Sequence, residues 1–281
     1  MSSGPSAGTF RGRDDLRLIA RQVGYEQLSF WLNPVAAVFT VGFSVVFLVL
    51  LGAAAGNARI PSLHNIRQIQ YYVPGFAAYG VMSACFNMLA VTLVVRREMG
   101  LLKRMRLSPL PTWVMLAAIF GNALIISFVQ VVLLLVIGKF GYHVVLPQNF
   151  GALAVVLLVG AICFTSLGIA ASTLIPNQEA GGPVIGIVFF VLLFLSGLWY
   201  PLTKGSGLAQ FSSYFPVRHM ITGVFTTFNG QRGVSSWPWG DILTMAIWAV
   251  AGVLVSLRRW SWAPRRSDVG RRRGALLAGR R

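Results

Sequence analysis

Residues Phe150–Leu174 read FGALAVVLLVGAICFTSLGIAASTL, an unbroken run without a charged side chain or a histidine. As an α-helix rising 1.5 Å per residue it outspans the ~30 Å hydrocarbon core of a bilayer. Working outward, stretches of the same character lie at about Val35–Ala53, Val73–Val95, Trp113–Ile137, Pro183–Tyr200 and Ile242–Leu257. The last is the shortest, and Trp237, Trp239, Trp260 and Trp262 bracket it as an interfacial aromatic belt would. The composition agrees: 11% of residues are charged, against about 25% in ordinary globular chains, and mean hydropathy is +0.69. A soluble enzyme, a disordered chain, a collagen and a disulfide scaffold are excluded. The fold class is all-α integral membrane, with six transmembrane helices.

The net charge of +17 comes from 24 basic and seven acidic residues. Nine of the basic residues follow Leu257, and no basic stripe is interleaved with aromatics. Nucleic acid is therefore not an expected partner; the charge reads as the bias of Arg and Lys toward the cytoplasmic face. With both termini inside, 18 basic residues fall on the cytoplasmic side and six outside. This predicts a multi-pass cell-membrane protein with cytoplasmic termini. Only Lys103, Lys139 and Lys204 are lysines, an arginine excess that points to a GC-rich genome; a bacterial source is expected. Met1–Arg13 shows no apolar core before a small-residue cleavage site, so no cleavable signal peptide is expected.

The predicted organisation is a flexible N-tail (1–13), an interfacial helix (14–34), a six-span domain (35–257) and a basic cytoplasmic tail (258–281). In the interfacial segment Leu16, Ile19, Val23 and Phe30 recur at helical spacing, while Arg17, Arg21 and Glu26 take other faces. That is the pattern of an amphipathic helix in the lipid headgroup layer, ended by Asn33-Pro34. Between the fifth and sixth spans, 207–215 and 217–228 carry Leu208, Phe211, Phe215, Ile221, Val224, Phe225 and Phe228 at helical intervals, separated by Pro216. Two short outer helices dipping into the leaflet would bury these side chains.

Catalytic chemistry finds no foothold. Asp14, Asp15, Glu26, Glu98, Glu179, Asp241 and Asp268 lie in tails, loops or span ends. His64, His143 and His219 fall on three different outer connections and read as solvated or interfacial imidazoles. Cys85 and Cys163 sit inside apolar spans, as small buried hydrophobes do, so neither a disulfide nor a metal site is expected. The span interiors lack Asp, Glu, Lys, Arg and His; Asn87, Asn122 and Gln130 are the polar exceptions, suited to interhelical hydrogen bonding or to lining a path. An ion-driven pump normally holds an ionisable group in the bilayer. The chain also lacks GxxxxGK[ST], the loop that cradles nucleotide phosphates. It is therefore expected not to be an enzyme and to bind no cofactor, with energy supplied by a partner. The best docking surface for one is 96–106, where Met99, Leu102 and Met105 form an apolar ridge among Arg97, Glu98, Lys103 and Arg104.

That stretch carries a resemblance. Residues 96–113, RREMGLLKRMRLSPLPTW, resemble the segment after the second span of ABC-2 type ABC transporter permeases, of form R-E-x-G-T-L-E-x-L-x-x-[ST]-P-[LV]. Arg97, Glu98, Gly100, Leu102, Ser108, Pro109 and Leu110 align; Leu101 and Lys103 depart from the usual Thr and Glu. Residues 195–201, LSGLWYP, are similar to the family's L-S-G-x-x-[FY]-P at the outer end of the fifth span, placing Ser196, Gly197, Tyr200 and Pro201 in an outer gate. Phe215-Pro216-Val217 is similar to a later P-[LV] element. Within the family the likeness is nearest to drug-export permeases of the daunorubicin-resistance type. It implies a half-transporter: a second permease, identical or related, and two cytoplasmic ATPase subunits carrying the ATP and Mg. Motion of the ATPases would pass through Arg97, Glu98, Met99, Gly100, Leu101, Leu102, Lys103, Arg104 and Met105 to spans embedded in membrane lipid. In the family the first and fifth spans form the permease–permease contact, and Gly182 and Gly186, at small-xxx-small spacing, suit it as well as they suit packing within one subunit. The implied function is efflux of an amphipathic small molecule, as in antibiotic resistance. Alternatives are export of a lipid-linked glycan or cell-wall precursor and, from another class, an intramembrane enzyme.

Overall fold

The computed structural model describes residues 12–63, 65–100, 112–175, 177–200, 206–228 and 237–259. Helix α1 (Gly12–Trp31) precedes the first span, α2 (Pro34–Ala55). A short antiparallel ribbon follows, β1 (Arg59–Ile60) with β2 (Ile66–Arg67), in register Arg59 to Arg67 and Ile60 to Ile66. The remaining spans are α3 (Gln68–Glu98), α4 (Val114–Gly141), α5 (Phe150–Leu174), α6 (Gln178–Leu195) and α9 (Trp239–Arg259). Between the last two lie α7 (Gly207–Ser212) and α8 (Pro216–Phe228). All six expected spans are present as helices long and apolar enough to cross a membrane.

Several bounds differ from those read in the sequence, each for a local reason. The second span begins at Gln68 rather than Val73, because its polar first turn finds partners. Gln70 Nε2 donates to Val145 O (3.0 Å) and its Oε1 accepts from the Val145 N–H (2.9 Å), as one strand would pair with another. The fifth span runs from Gln178 to Leu195, not from Pro183 to Tyr200. Asn177 starts it, its side chain accepting from the Ala180 N–H at 2.9 Å. Gly197, at φ +82°, turns the chain just beyond its end. The third span continues through a π-helical segment, Ile137–Gly141, and the sixth extends to Trp239 and Arg259. Two more π segments interrupt α2 at Val38–Gly42 and α3 at Ser83–Met88. The β ribbon had no counterpart in the sequence reading; its strands are too short for alternation to show.

Helix α3 is the hub. Phe76, Met82, Leu89 and Leu93 on it are almost completely buried, and it packs against α2, α4, α5 and α8. Helix α9 is held mainly by α5. Gly252 makes that contact, since a Cβ there would lie 2.6 Å from Ser166 Oγ and 2.9 Å from the Ser166 carbonyl carbon. Helix α1 lies along α4, with Val23 against Gly121 and Phe30 buried among Val41, Ala84 and Ile126. Leu16, expected on the same apolar stripe, is exposed.

The two short helices between the fifth and sixth spans also differ from expectation. The first ends at Ser212 rather than Phe215. The second buries Ile221, Val224 and Phe228 against α3, α5 and α9 rather than presenting them to lipid. Phe211 and Tyr214 stay exposed. A Cβ added at Gly182 or Gly186 would meet nothing within 4 Å among the described residues, whereas one at the adjacent Gly181 would meet Val94.

Replacing Gly252 by Ala should push α9 off the α5 backbone and cost roughly 1–3 kcal/mol. The matched Gly186→Ala, in open space, should leave stability unchanged or slightly raised. Thermal unfolding of the two detergent-purified variants against the parent measures the difference.

Candidate functional site

The end of the bundle where α3 and α5 stop carries the segment singled out for coupling. The last four carbonyls of a helix have no partner within it, and at the end of α5 Arg97 supplies one. Its Nη1 donates to Ser172 O (3.0 Å) and its Nη2 to Ile175 O (2.6 Å), with Glu98 3.3 Å from Nε. Only 4% of Arg97 is exposed, so a residue expected to face a partner is held inside the chain by α5. Its neighbour Arg96 grips Glu26 of α1 with both terminal nitrogens, at 2.7 and 2.5 Å, the forked geometry that guanidinium and carboxylate share. Gln27 adds a hydrogen bond from Nε2 to Asn122 O at 3.1 Å. Glu26, placed by the sequence on the polar side of an interfacial helix, is thereby buried.

The chain leaves α3 through Met99 and Gly100. Their N–H groups donate to Val95 O and Arg97 O, each at 3.0 Å, and Gly100 takes φ +69°, where a side chain would be strained. Met99 is exposed. The expected contact residues Leu101, Leu102, Lys103, Arg104 and Met105 lie outside the described residues.

At the opposite end, Ser196–Tyr200 form the turn after α6. Ser196 Oγ donates to Leu193 O and accepts from the Leu198 N–H (3.1 Å), while Tyr71 OH donates to Gly197 O. Leu198 is fully buried on Gly75, where a Cβ would lie 2.7 Å from its Cδ1. Trp199 sits edge-on between Phe47 (5.5 Å) and Phe76 (6.1 Å), and Tyr200 packs on Phe194 at 5.8 Å. The turn is thus wedged onto the first and second spans. Beside it is a cavity of about 110 Å³ between Tyr71, the Ser196–Gly197 turn and Arg218, Ile221 and Thr222 of α8. Pro201 lies outside the described residues.

Helix α8 is clamped to α9 by a group the sequence reading treated as solvated. His219 Nδ1 lies 2.6 Å from Asp241 Oδ1, which also accepts from Thr222 Oγ1 (3.0 Å), and His219 Nε2 lies 2.8 Å from Ser213 O. Both ring nitrogens face acceptors, an arrangement that suits the doubly protonated ring. The Asp241 hydrogen bond raises the His219 pKa above 6.5, outweighing burial and nearby Arg218. The 22-residue separation hid this pair from the sequence; Asp241 in the first turn of a span was the available signal.

Within the bilayer, Gln130 is fully buried and ties α4 to α2, Nε2 donating to Thr40 O (3.1 Å) and Ser44 Oγ (2.6 Å). Asn122 is buried beneath α1, with its Oδ1 unpartnered among the described residues. Asn87 is half-buried in the π segment of α3. The three polar side chains are therefore not gathered around one cavity.

Six spanning helices, a further helix laid along the third span and a protein-packed helix before the sixth define a multi-pass helical membrane protein. The family model of the ABC-2 type transporter matches residues 21–229, from α1 to just past α8, and the chain belongs to that family. Among similar proteins, a putative transport permease of Bacillus subtilis, YvfS, is 22% identical over 188 residues, covering 66% of this chain and 75% of its own. The inner membrane transport permease YadH of Escherichia coli K12 is 22% identical over 190 residues, covering 67% and 73%. The protein is thus a transport permease, and its family implies an ABC transporter system with an ATPase partner.

Replacing Arg97 by Ala would leave the terminal carbonyls of α5 unpaired in a buried setting, at a cost of about 1.5–3 kcal/mol. Lys should recover only part of this, since one ammonium cannot reproduce the fork; thermal unfolding of both variants gives the comparison. The His219 clamp should contribute fully below pH 6.5 and weaken as pH rises through the raised folded-state value. Unfolding midpoints across that range should converge for the parent and His219→Ala at alkaline pH and separate at acid pH.

Proposed function

We propose that this permease exports an amphipathic small molecule of drug, antibiotic or lipid-like character, from the cytoplasm or inner leaflet outward. Two separate ATPase subunits bind and hydrolyse the ATP, with its Mg, and this chain holds neither. The observation that carries the reading is how the chain leaves α3. Arg96 and Arg97 bind the end of that helix to α1 and α5, and the exposed Met99 and the turn at Gly100 follow at once. A push delivered to 99–106 reaches α1, α3 and α5 together. Helix α3 continues to the far end, where Tyr71, Gly75 and Phe76 hold the turn after α6.

The positive-inside count supports placing that basic end, and both termini, on the cytoplasmic face of a bacterial cell membrane. A second permease, identical or related, completes the path. The face of α6 bearing Gly182, Val184, Gly186 and Ile187, where the two glycines have open space beside them among the described residues and Val184 and Ile187 are exposed, supports its seat.

Leu102→Ala should remove an apolar anchor from the ATPase contact. Truncating such an anchor typically costs ~2 kcal/mol or more, about a thirty-fold loss of affinity. Glu98→Ala should do less to docking, because Glu98 already faces Arg97. Surface expression, copurified ATPase and substrate export are the measurements. Normal export by the double variant at normal expression would reduce the segment to a charged topology anchor.

A further inference from the structure

At the basic end a groove of about 700 Å³ opens between three spans. Its walls are Leu116 and Phe120 near the start of α4, Ile162 and Ile169 in the second half of α5, and Val253 and Leu257 in the last turns of α9. It is almost wholly apolar. Of the three hydroxyl side chains on its border, Thr165 is buried, and two are turned to carbonyls of their own helices: Ser166 Oγ donates to Cys163 O and Ser256 Oγ to Gly252 O, each at 2.7 Å. Such walls suit a hydrocarbon chain better than a solute that needs hydrogen bonds.

The mouth is of opposite character. Leu257 is followed by Arg258 and Arg259, both exposed, and Arg259 stands three residues after Ser256, on the same helix face. Long basic side chains at a span end reach to the headgroup layer, and basic pockets between spans bind anionic headgroups.

We propose that this groove holds an acyl chain of a resident anionic phospholipid whose phosphate is bound by Arg258 and Arg259. The lipid fills the recess between α4, α5 and α9 and stiffens the contact of α9 with α5. It is distinct from the cargo, and its binding needs neither ATPase nor transport.

The test uses the full-length permease, purified in detergent and stripped of lipid, titrated with phosphatidylglycerol or with phosphatidylcholine of identical acyl chains. Retained lipid is read by native mass spectrometry and stability by thermal unfolding. Phosphatidylglycerol should bind about thirty-fold more tightly, the effect expected for two arginines near the surface, and inorganic phosphate should give no shift. The R258Q/R259Q variant should lose the preference between lipids. Ala117→Trp, which fills the groove, should lose retention of either one. Ala154→Trp, in the separate groove between α3, α4 and α5, should retain both properties. Equal binding of the two lipids, a preference that survives R258Q/R259Q, or retention undiminished by Ala117→Trp would each overturn the proposal.

Discussion

A carbonyl or amide that loses its helical partner inside a membrane has no water to turn to, and this requirement runs through the whole molecule. Asparagines 33, 149 and 177 start the first, fourth and fifth spans by accepting from amides three residues on. Arg97 closes the fourth span and Tyr71 the turn after the fifth. Three of these capping groups are local to the helix they start, and two come from a neighbouring helix. Satisfying the backbone therefore also decides which helices stay together, and the hub position of α3 follows: it provides the cap at both ends.

The span count and the fold class were legible because each rests on a local property, an uncharged run long enough to cross hydrocarbon. The break at Asn33-Pro34 and the paired helices around Pro216 were legible for the same reason. What could not be read was every feature made by residues far apart. Glu26 on the polar side of an interfacial helix and Arg96 at the start of the docking segment looked unrelated until folding placed them in one ion pair. His219 and Asp241 looked like an isolated imidazole and a span-end carboxylate. The bounds of α3 and α6 were misread because hydropathy cannot see that Gln70 pairs with Val145, or that the chain turns at Gly197.

The two ends of the bundle are built on opposite principles. At the basic end, charge takes part in the joining: Arg96 pairs with Glu26 of α1, and Arg97 donates to two carbonyls of α5. At the far end, rings do it, with Phe47, Phe76 and Trp199 meeting edge to face around a buried leucine. The Arg96–Glu26 pair keeps part of its attraction under a small displacement, because coulombic attraction varies slowly with distance. A close-packed aromatic wedge does not, since contact energy is lost over less than an ångström.

Arg96 and Arg97 are chemically identical and adjacent, yet one holds α1 and the other caps α5. What separates them is angular phase. Beyond the π segment at Ser83–Met88 the buried residues of α3 are Leu89, Ala90, Leu93, Val94 and Arg97, and Arg96 stands about 100° to one side. A π turn absorbs an extra residue, so a continuous α-helix over the same stretch would rotate everything after it by roughly one position. Arg96 would then point toward the carbonyls of α5, and Glu26 would lose its partner. The division of labour between two neighbouring arginines is thus written some ten residues upstream of them, in a widened helical turn that itself touches neither.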